Sequence, residues 1–248
     1  MKRKTIFCLL FLIIFFSLAF SQNYYFEIPS YDVDVYIQKD ASIDIYYEIV
    51  FKPVSGYHAI DIVDIGFPNE FYSRSSVRAK INGKDIPLSQ IKKSAYIPIG
   101  VEIHLYSDQI LPGKQGTLWV YGNNPNMVHQ DSEKEDYASV VFAPTWFGSQ
   151  YVRGTTKLSI RIHFPPGVQP DETVYHKNQY THTYIDADGR RVFSWNYNTA
   201  SMTSAITVGV SFPKKYVDRI YKPSALMYFK KFFLGLIGFL FNPCMIFI

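Results

Sequence analysis

The sequence predicts an all-β protein with the architecture of an antiparallel β-sandwich, immunoglobulin-like or related. Apolar and polar residues alternate with a period of two through most of Tyr31–Phe212, as expected for strands with one wet face. Turn signals such as Asn-Gly and Asp-Gly recur between the alternating segments. No segment of this region keeps a helical period of 3.6 residues for long. Many short strands separated by turns are typical of sandwiches and barrels.

The N-terminus predicts a cleavable secretory signal peptide, residues 1–21. The basic sequence KRK is followed by the apolar run Ile6–Phe16, and Ala19 and Ser21 occupy positions −3 and −1 of a cut before Gln22. An uncleaved membrane anchor is the less favoured alternative, because the apolar run is short for a bilayer span. The chain is therefore expected to be exported.

Residues 22–212 form the predicted extracytoplasmic domain, which opens with a β-hairpin. Polar side chains alternate with apolar ones from Tyr31 to Gln38, and Ile43–Phe51 repeats the pattern after a short turn. Asn82-Gly83 predicts a type I′ hairpin turn, and Asp188-Gly189 predicts a second one. The polar segment 123–136 is a surface loop or a hinge between two β lobes. We favour the loop, because each lobe alone would be small.

Composition limits the chemistry of this domain. Cys8 and Cys244 both lie outside residues 22–212, so the domain has no disulfide and no thiol nucleophile. The domain contains 16 basic and 20 acidic residues, a formal charge of −4. A mildly acidic domain gives no electrostatic basis for binding nucleic acid.

The C-terminus predicts attachment to a membrane. Residues 213–227 are basic and read as a juxtamembrane stalk, and 228–248 read as a transmembrane helix. The membrane-proximal basic residues, which would face lipid phosphates, are Lys214, Lys215, Lys230 and Lys231. The lysines precede the predicted span and nothing basic follows it, which is contrary to the positive-inside rule for an exported domain. Either the exported domain overrides this weak charge bias, or the natural span continues beyond Ile248. We favour the second, because nothing polar follows the apolar run.

No motif predicts a catalytic residue, a cofactor or a metal site. The sequence lacks GxSxG and HExxH. The segment Asp186–Gly189 resembles the start of a calcium loop, but two arginines follow it, so a plain hairpin is predicted. His104 and His163 are expected on outward faces of strands, and His176 and His182 could approach each other. A pair of glycosidase carboxylates is recognised by distance, which spacing in sequence does not reveal.

The irregular stretch 144–154 is the predicted binding patch. Its large flat side chains and guanidinium group are typical of binding surfaces. The patch consists of Trp146, Phe147, Tyr151 and Arg153. In the commoner alternative, Trp146 and Phe147 plug the edge of the sandwich and Arg153 pairs locally.

The first hairpin also resembles a known family. Tyr31–Phe51, followed by GYH at 56–58 and IGFP at 65–68, is similar to the exported N-terminal domain of prokaryotic membrane proteins termed domain of unknown function 2207. Those domains open with a "vDv.vqkDGs.dV.E" hairpin; here Ala41 replaces the usual Gly, and Tyr46-Tyr47 stands where Val-Thr is common. The resemblance implies architecture and topology, and it carries over no catalytic residues.

These observations predict a single-pass protein of the cell membrane whose β domain lies outside the cytoplasm. We expect a binding or structural module at the cell envelope, with membrane lipid at its C-terminal segment and an envelope protein or polysaccharide as its partner. An enzyme acting on envelope polysaccharide or peptide is the alternative.

Overall fold

A computed structural model describes residues 24–222, and this part of the chain is all-β with several sheets. The predicted signal peptide and transmembrane segment, with Lys230 and Lys231, lie outside the described residues. Between 24 and 222 no helix has the length and apolar character needed to cross a membrane. The strands are β1 Phe26–Ile37, β2 Ile43–Pro53, β3 Ile62–Gly66, β4 Arg78–Ile81, β5 Lys84–Ile86, β6 Ile91–Lys93, β7 Gly100–His104, β8 Gly116–Asn124, β9 His129–Gln130, β10 Tyr137–Phe142, β11 Val152–Arg153, β12 Thr156–His163, β13 Val174–His176, β14 His182–Ile185, β15 Arg191–Ala200 and β16 Val208–Pro213. Short 3₁₀ helices span Arg74–Ser76, Leu88–Gln90, Tyr106–Asp108, Pro170–Glu172 and Lys214–Tyr216.

The largest sheet has nine strands, in the order β14-β15-β12-β1-β2-β8-β4-β5, with β11 paired to the start of β1. The predicted hairpin of β1 and β2 is confirmed, with Val33 opposite Tyr47. The expectation of a purely antiparallel architecture is wrong, because β1 runs parallel to both β11 and β12. An immunoglobulin domain, by comparison, has two antiparallel sheets. Parallel partners need a long crossover connection, and here residues 38–155 supply it.

Two smaller sheets complete the fold. One has four strands in the order β13-β16-β10-β9, and the other has three in the order β3-β7-β6. Apolar side chains of all three sheets join one buried cluster, which includes Tyr31, Ile65 and Phe212. The segment 123–136, predicted as loop or hinge, begins in β8 and reaches the four-stranded sheet through β9.

Of the two predicted type I′ turns, the first is confirmed and the second is wrong. Asn82 and Gly83 both adopt positive φ, 50° and 82°, as the predicted type I′ turn requires. Asp188-Gly189 does not form a two-residue turn of this type, because only Gly189 has positive φ. Instead, the amide of Asp186 donates to the carbonyl of Arg190 and closes a longer loop between β14 and β15.

The first part of the predicted stalk lies against the domain. Lys215 pairs with Glu172, the Arg219 guanidinium donates to the backbone carbonyl of Asp40 at 2.7 Å, and the amide of Tyr221 donates to the carbonyl of Val128. Lys214 donates its amide to a backbone carbonyl of the domain. The packing arises because this segment is not uniformly polar. It also carries apolar side chains that contact the core, namely Tyr216, Val217 and Ile220.

Candidate functional site

The polar face of the large sheet carries an ion-paired network centred on Asp34. The Asp34 carboxylate accepts two hydrogen bonds from the Arg161 guanidinium, at 2.6 Å and 2.8 Å. Arg161 also donates to Asp32 at 2.9 Å. Asp34 and Arg161 are direct neighbours because β1 and β12 pair in parallel. The bidentate pair fixes both side chains on the sheet surface.

His163 completes the network from below the surface. Its Nδ1 lies 2.6 Å from Asp186 and its Nε2 lies 3.0 Å from Asp34. The sequence placed His163 on an outward face, and its position on the polar side of β12 agrees. The expectation that it is a surface histidine is wrong, however, since only 4% of the residue is exposed. Tyr36 covers one side of the imidazole, and the β14–β15 loop supplies Asp186 from another.

The two carboxylates that bond to His163 both have lowered pKa values. Burial alone would raise the pKa of Asp34, but the hydrogen bonds from Arg161 and His163 outweigh burial and lower that pKa to about 2. Burial likewise opposes ionisation of Asp186, and the hydrogen bond from His163 lowers its pKa overall. Neither group has the raised pKa that a general acid needs at neutral pH.

Next to this network, four aromatic side chains stand on the polar face of adjacent strands. The Tyr46 ring centroid lies 5.5 Å from that of Tyr36, 6.0 Å from Trp119 and 5.1 Å from Tyr121. All four are half-buried. Aromatic side chains are costly to leave in water, so a row of them on a wet face is informative in a way that a single exposed one is not.

Two open grooves border the aromatic row. The first, about 470 Å³, is lined mainly by the rings and by carboxylates, and the second, about 490 Å³, continues from it. Both grooves share Gln38, Asp44 and Arg190. Asp44 is held by Tyr121 and Asn123, and Gln38 donates to it at 2.6 Å. The alternation of polar and apolar residues did not predict this face, although its four aromatic side chains all occupy polar positions of strands.

The predicted patch at 146–153 is divided between surface and core. Trp146 is 49% exposed and Tyr151 is 41% exposed. Arg153 is exposed, and its guanidinium lies 3.9 Å from the centre of the Tyr25 ring. Phe147, in contrast, packs edge-on against Phe26 and Phe51 at one end of the β1–β2 pair, and it is partly buried against the core.

The histidines expected to approach each other belong to different sheets, His176 to β13 and His182 to β14. His176 instead bonds to Ser211, and Asp131 lies 3.4 Å from the same imidazole nitrogen. This group is not arranged as a nucleophilic triad, because the Ser211 hydroxyl donates to Asp131 and is 1% exposed.

A second group of polar side chains lies on the three-stranded sheet. Asp64 and Glu102 are direct cross-strand partners, so their side chains leave the sheet side by side. Burial raises the pKa of Asp64, whereas a 2.8 Å hydrogen bond with His104 lowers the pKa of Glu102. Ser94 donates to Asp64. Within residues 24–222, no three or more His, Cys, Asp or Glu side chains are grouped to hold a metal ion.

Comparison with known proteins yields a likeness of fold alone. No family model matches the chain, and no curated protein matches it. An M1 zinc metallopeptidase from Deinococcus radiodurans is similar in structure, at 10% sequence identity and a TM-score of 0.50, over 77% of this chain and 42% of that one. Legionella pneumophila aminopeptidase A is 10% identical over 79% of this chain and 22% of that one, with a TM-score of 0.47. The chain therefore spans less than half the length of either structure.

Proposed function

We propose that the chain is an exported, membrane-tethered β-sandwich that binds a ligand at the cell envelope through the polar face of its large sheet. The observation that carries the proposal is the aromatic row of Tyr36, Tyr46, Trp119 and Tyr121 beside two open grooves. Flat side chains bordered by hydrogen-bonding groups are the usual composition of a binding surface.

The rigidity of this face supports the proposal. The row stands on strands β1, β2 and β8, in the interior of the sheet, and the Asp34–Arg161 pair braces one side of it. Side chains held by strands and by a second layer of hydrogen bonds lose little entropy when a ligand binds. The face is therefore better organised for recognition than the loop patch around Trp146.

A pull-down from envelope extracts tests the binding role. We expect the intact mature protein to retain envelope material, and Tyr46→Leu to retain less of it, while Tyr96→Leu retains the wild-type amount. Tyr96 is the matched control because it is 87% exposed and lies on another part of the surface. Equal retention by all three proteins would place the ligand elsewhere.

Alkaline carbonate extraction tests the tether. We expect the intact protein to stay in the membrane pellet at about pH 11, and a version ending at Ala225 to be released, because residues 226–248 supply the apolar segment. Release of both proteins would reject the membrane-tethered part of the proposal and leave the binding part standing.

Hydrolysis of an envelope polysaccharide is the alternative function, and Asp64 with Glu102 is the pair that would perform it. Their environments shift the two pKa values in opposite directions, as an acid and its partner carboxylate require. Release of reducing ends from envelope polysaccharide by the wild type, and its loss in Asp64→Asn, would favour the enzyme. No release would favour the binding module.

A further inference from the structure

The two grooves on the polar face carry an excess of negative charge. Five aspartates line them, against one lysine and one arginine, and the acidic members are Asp34, Asp40, Asp44, Asp188 and Asp218. Arg161 is bonded to Asp34 and Arg219 lies next to Asp40, so each offsets one of these charges and the grooves keep a small net negative charge. A cleft lined by charge of one sign concentrates ligands of the opposite sign.

Burial, and to a lesser extent the field of the Asp44 carboxylate, raises the pKa of two tyrosines of the aromatic row. Burial raises the pKa of Tyr46, and the Asp44 carboxylate adds to the shift. Burial, a hydrogen bond to Asp44 and the charge of Asp44 raise the pKa of Tyr121 to about 12. A phenol next to carboxylates resists ionisation because a second negative charge is unfavourable there. The same field would favour a positive charge in the groove.

The rings themselves are suited to cations. The faces of Trp and Tyr attract cations through the ring quadrupole. Two basic side chains of the chain already use these rings: Arg190 lies 5.6 Å from the centre of Tyr36, and Lys80 lies 5.8 Å from that of Trp119. Tyr46, between them, has ring partners on three sides and Asp44 nearby.

Resting on the proposed binding function, we infer that the ligand of this face is a basic segment of a partner protein, whose lysine side chains enter the grooves between Tyr46 and Asp188. Carboxylates attract the ammonium groups, and the aromatic faces contact them at short range. Phosphate-rich polymers and anionic lipid headgroups are repelled by the same charges.

Substitutions at Asp188 and at Tyr46 test separately the contributions of a groove carboxylate and of an aromatic ring. Asp188 is exposed, its carboxylate lines the first groove, and its amide donates to Asp186, which Asn preserves. Asp188→Asn therefore removes charge and leaves the loop intact. Tyr46→Leu removes the ring, and Tyr46→Phe keeps it. Glu133→Gln is the matched control for charge, because Glu133 is exposed and lies outside both grooves.

The experiment is calorimetric titration of the intact mature protein, in a neutral detergent, with pentalysine. We expect binding that weakens about fivefold or more in Tyr46→Leu and in Asp188→Asn, and that stays near wild type in Tyr46→Phe and Glu133→Gln. Raising NaCl from about 50 to about 300 mM should weaken it further, since salt screens exposed charges. Circular dichroism verifies that each variant is folded.

Three results would overturn the inference: no binding of pentalysine, equal binding by all variants, or binding of neutral cellohexaose in its place. Failure of this inference is distinct from failure of the proposed function. If pentalysine does not bind but Tyr46→Leu still loses envelope material, the face binds another ligand. If the wild type retains no envelope material either, the binding function itself fails.

Discussion

The imidazole of His163 is stacked on the phenol ring of Tyr36, with ring centroids 3.9 Å apart and planes inclined by 17°. The contact joins neighbouring residues of the parallel pair β1 and β12. It also covers a ring whose two nitrogens both reach carboxylates. Stacking and hydrogen bonding therefore hold the same side chain from different directions.

The first prediction isolates the hydrogen bonds of His163, because both of its variants keep the stacked rings. His163→Phe keeps a ring on Tyr36 but removes the imidazole nitrogens that bond to Asp34 and Asp186, so we expect a loss of about 2–3 kcal/mol in the free energy of unfolding. Tyr36→Phe keeps the stack and should change it by less than about 0.5 kcal/mol. Urea denaturation followed by fluorescence measures both. A loss in His163→Phe no larger than that in Tyr36→Phe would show that the hydrogen bonds of the imidazole contribute little to stability.

The second prediction concerns acid stability. Because folding lowers the pKa of Asp34 from 3.8 to about 2, its contribution is present above pH 4 and is lost as pH falls towards 2. The shift corresponds to about 2 kcal/mol. Asp34→Asn should therefore flatten the decline of stability over this range. Denaturation curves at several pH values provide the measurement, and an unchanged slope in the variant would contradict the assignment.

A third prediction tests a close approach in the core. A Cβ atom on Gly122 of β8 would lie 2.2 Å from the Phe67 ring, which is stacked on Tyr72 at 4.5 Å. Gly122→Ala should cost about 1–3 kcal/mol of stability by overpacking. Combining it with Phe67→Leu should recover part of that loss. Additive losses in thermal unfolding would show that the two sites do not share this space.

The fourth prediction distinguishes members of the patch at 146–153. Phe147→Ala removes contacts with Phe26 and Phe51 and should cost about 2–3 kcal/mol of stability. Trp146→Ala and Arg153→Ala should leave the melting temperature nearly unchanged, because both side chains are exposed. If these two variants lose envelope binding while folded, the patch is a second contact surface. If Trp146→Ala unfolds the domain, Trp146 has a structural role.

Local sequence signals predicted local structure well. Alternation from Tyr31 to Phe51 gave the hairpin and its wet face, and Asn82-Gly83 gave the type I′ turn, because each depends on neighbouring residues only. The parallel pairing of β1 with β12 was not predictable in this way, since the partners are separated by more than a hundred residues. Burial of His163 follows from that pairing.

The candidate site was missed for the same reason. Tyr36, Tyr46 and Trp119 each occupy a polar position of a separate strand, and the three strands are not all consecutive in the sequence. Only the strand order β1-β2-β8 brings them into one row. Phe147 was open to both interpretations, because its loop sequence allowed a surface or a packed position, and the fold packs the half-buried ring against β1 and β2.

The place of β1 in the sheet has a consequence for how the protein acquires its structure. β1 begins at Phe26, yet one of its two edges is closed only by Val152–Arg153 and Thr156–His163. Because a chain is synthesised from its N-terminus, that edge of β1 stays unpaired until more than a hundred further residues have been added. Such a delay favours slow folding and exposes a template for unwanted strand pairing. The charged residues Asp32 and Asp34 on this strand oppose such association until Arg161 arrives.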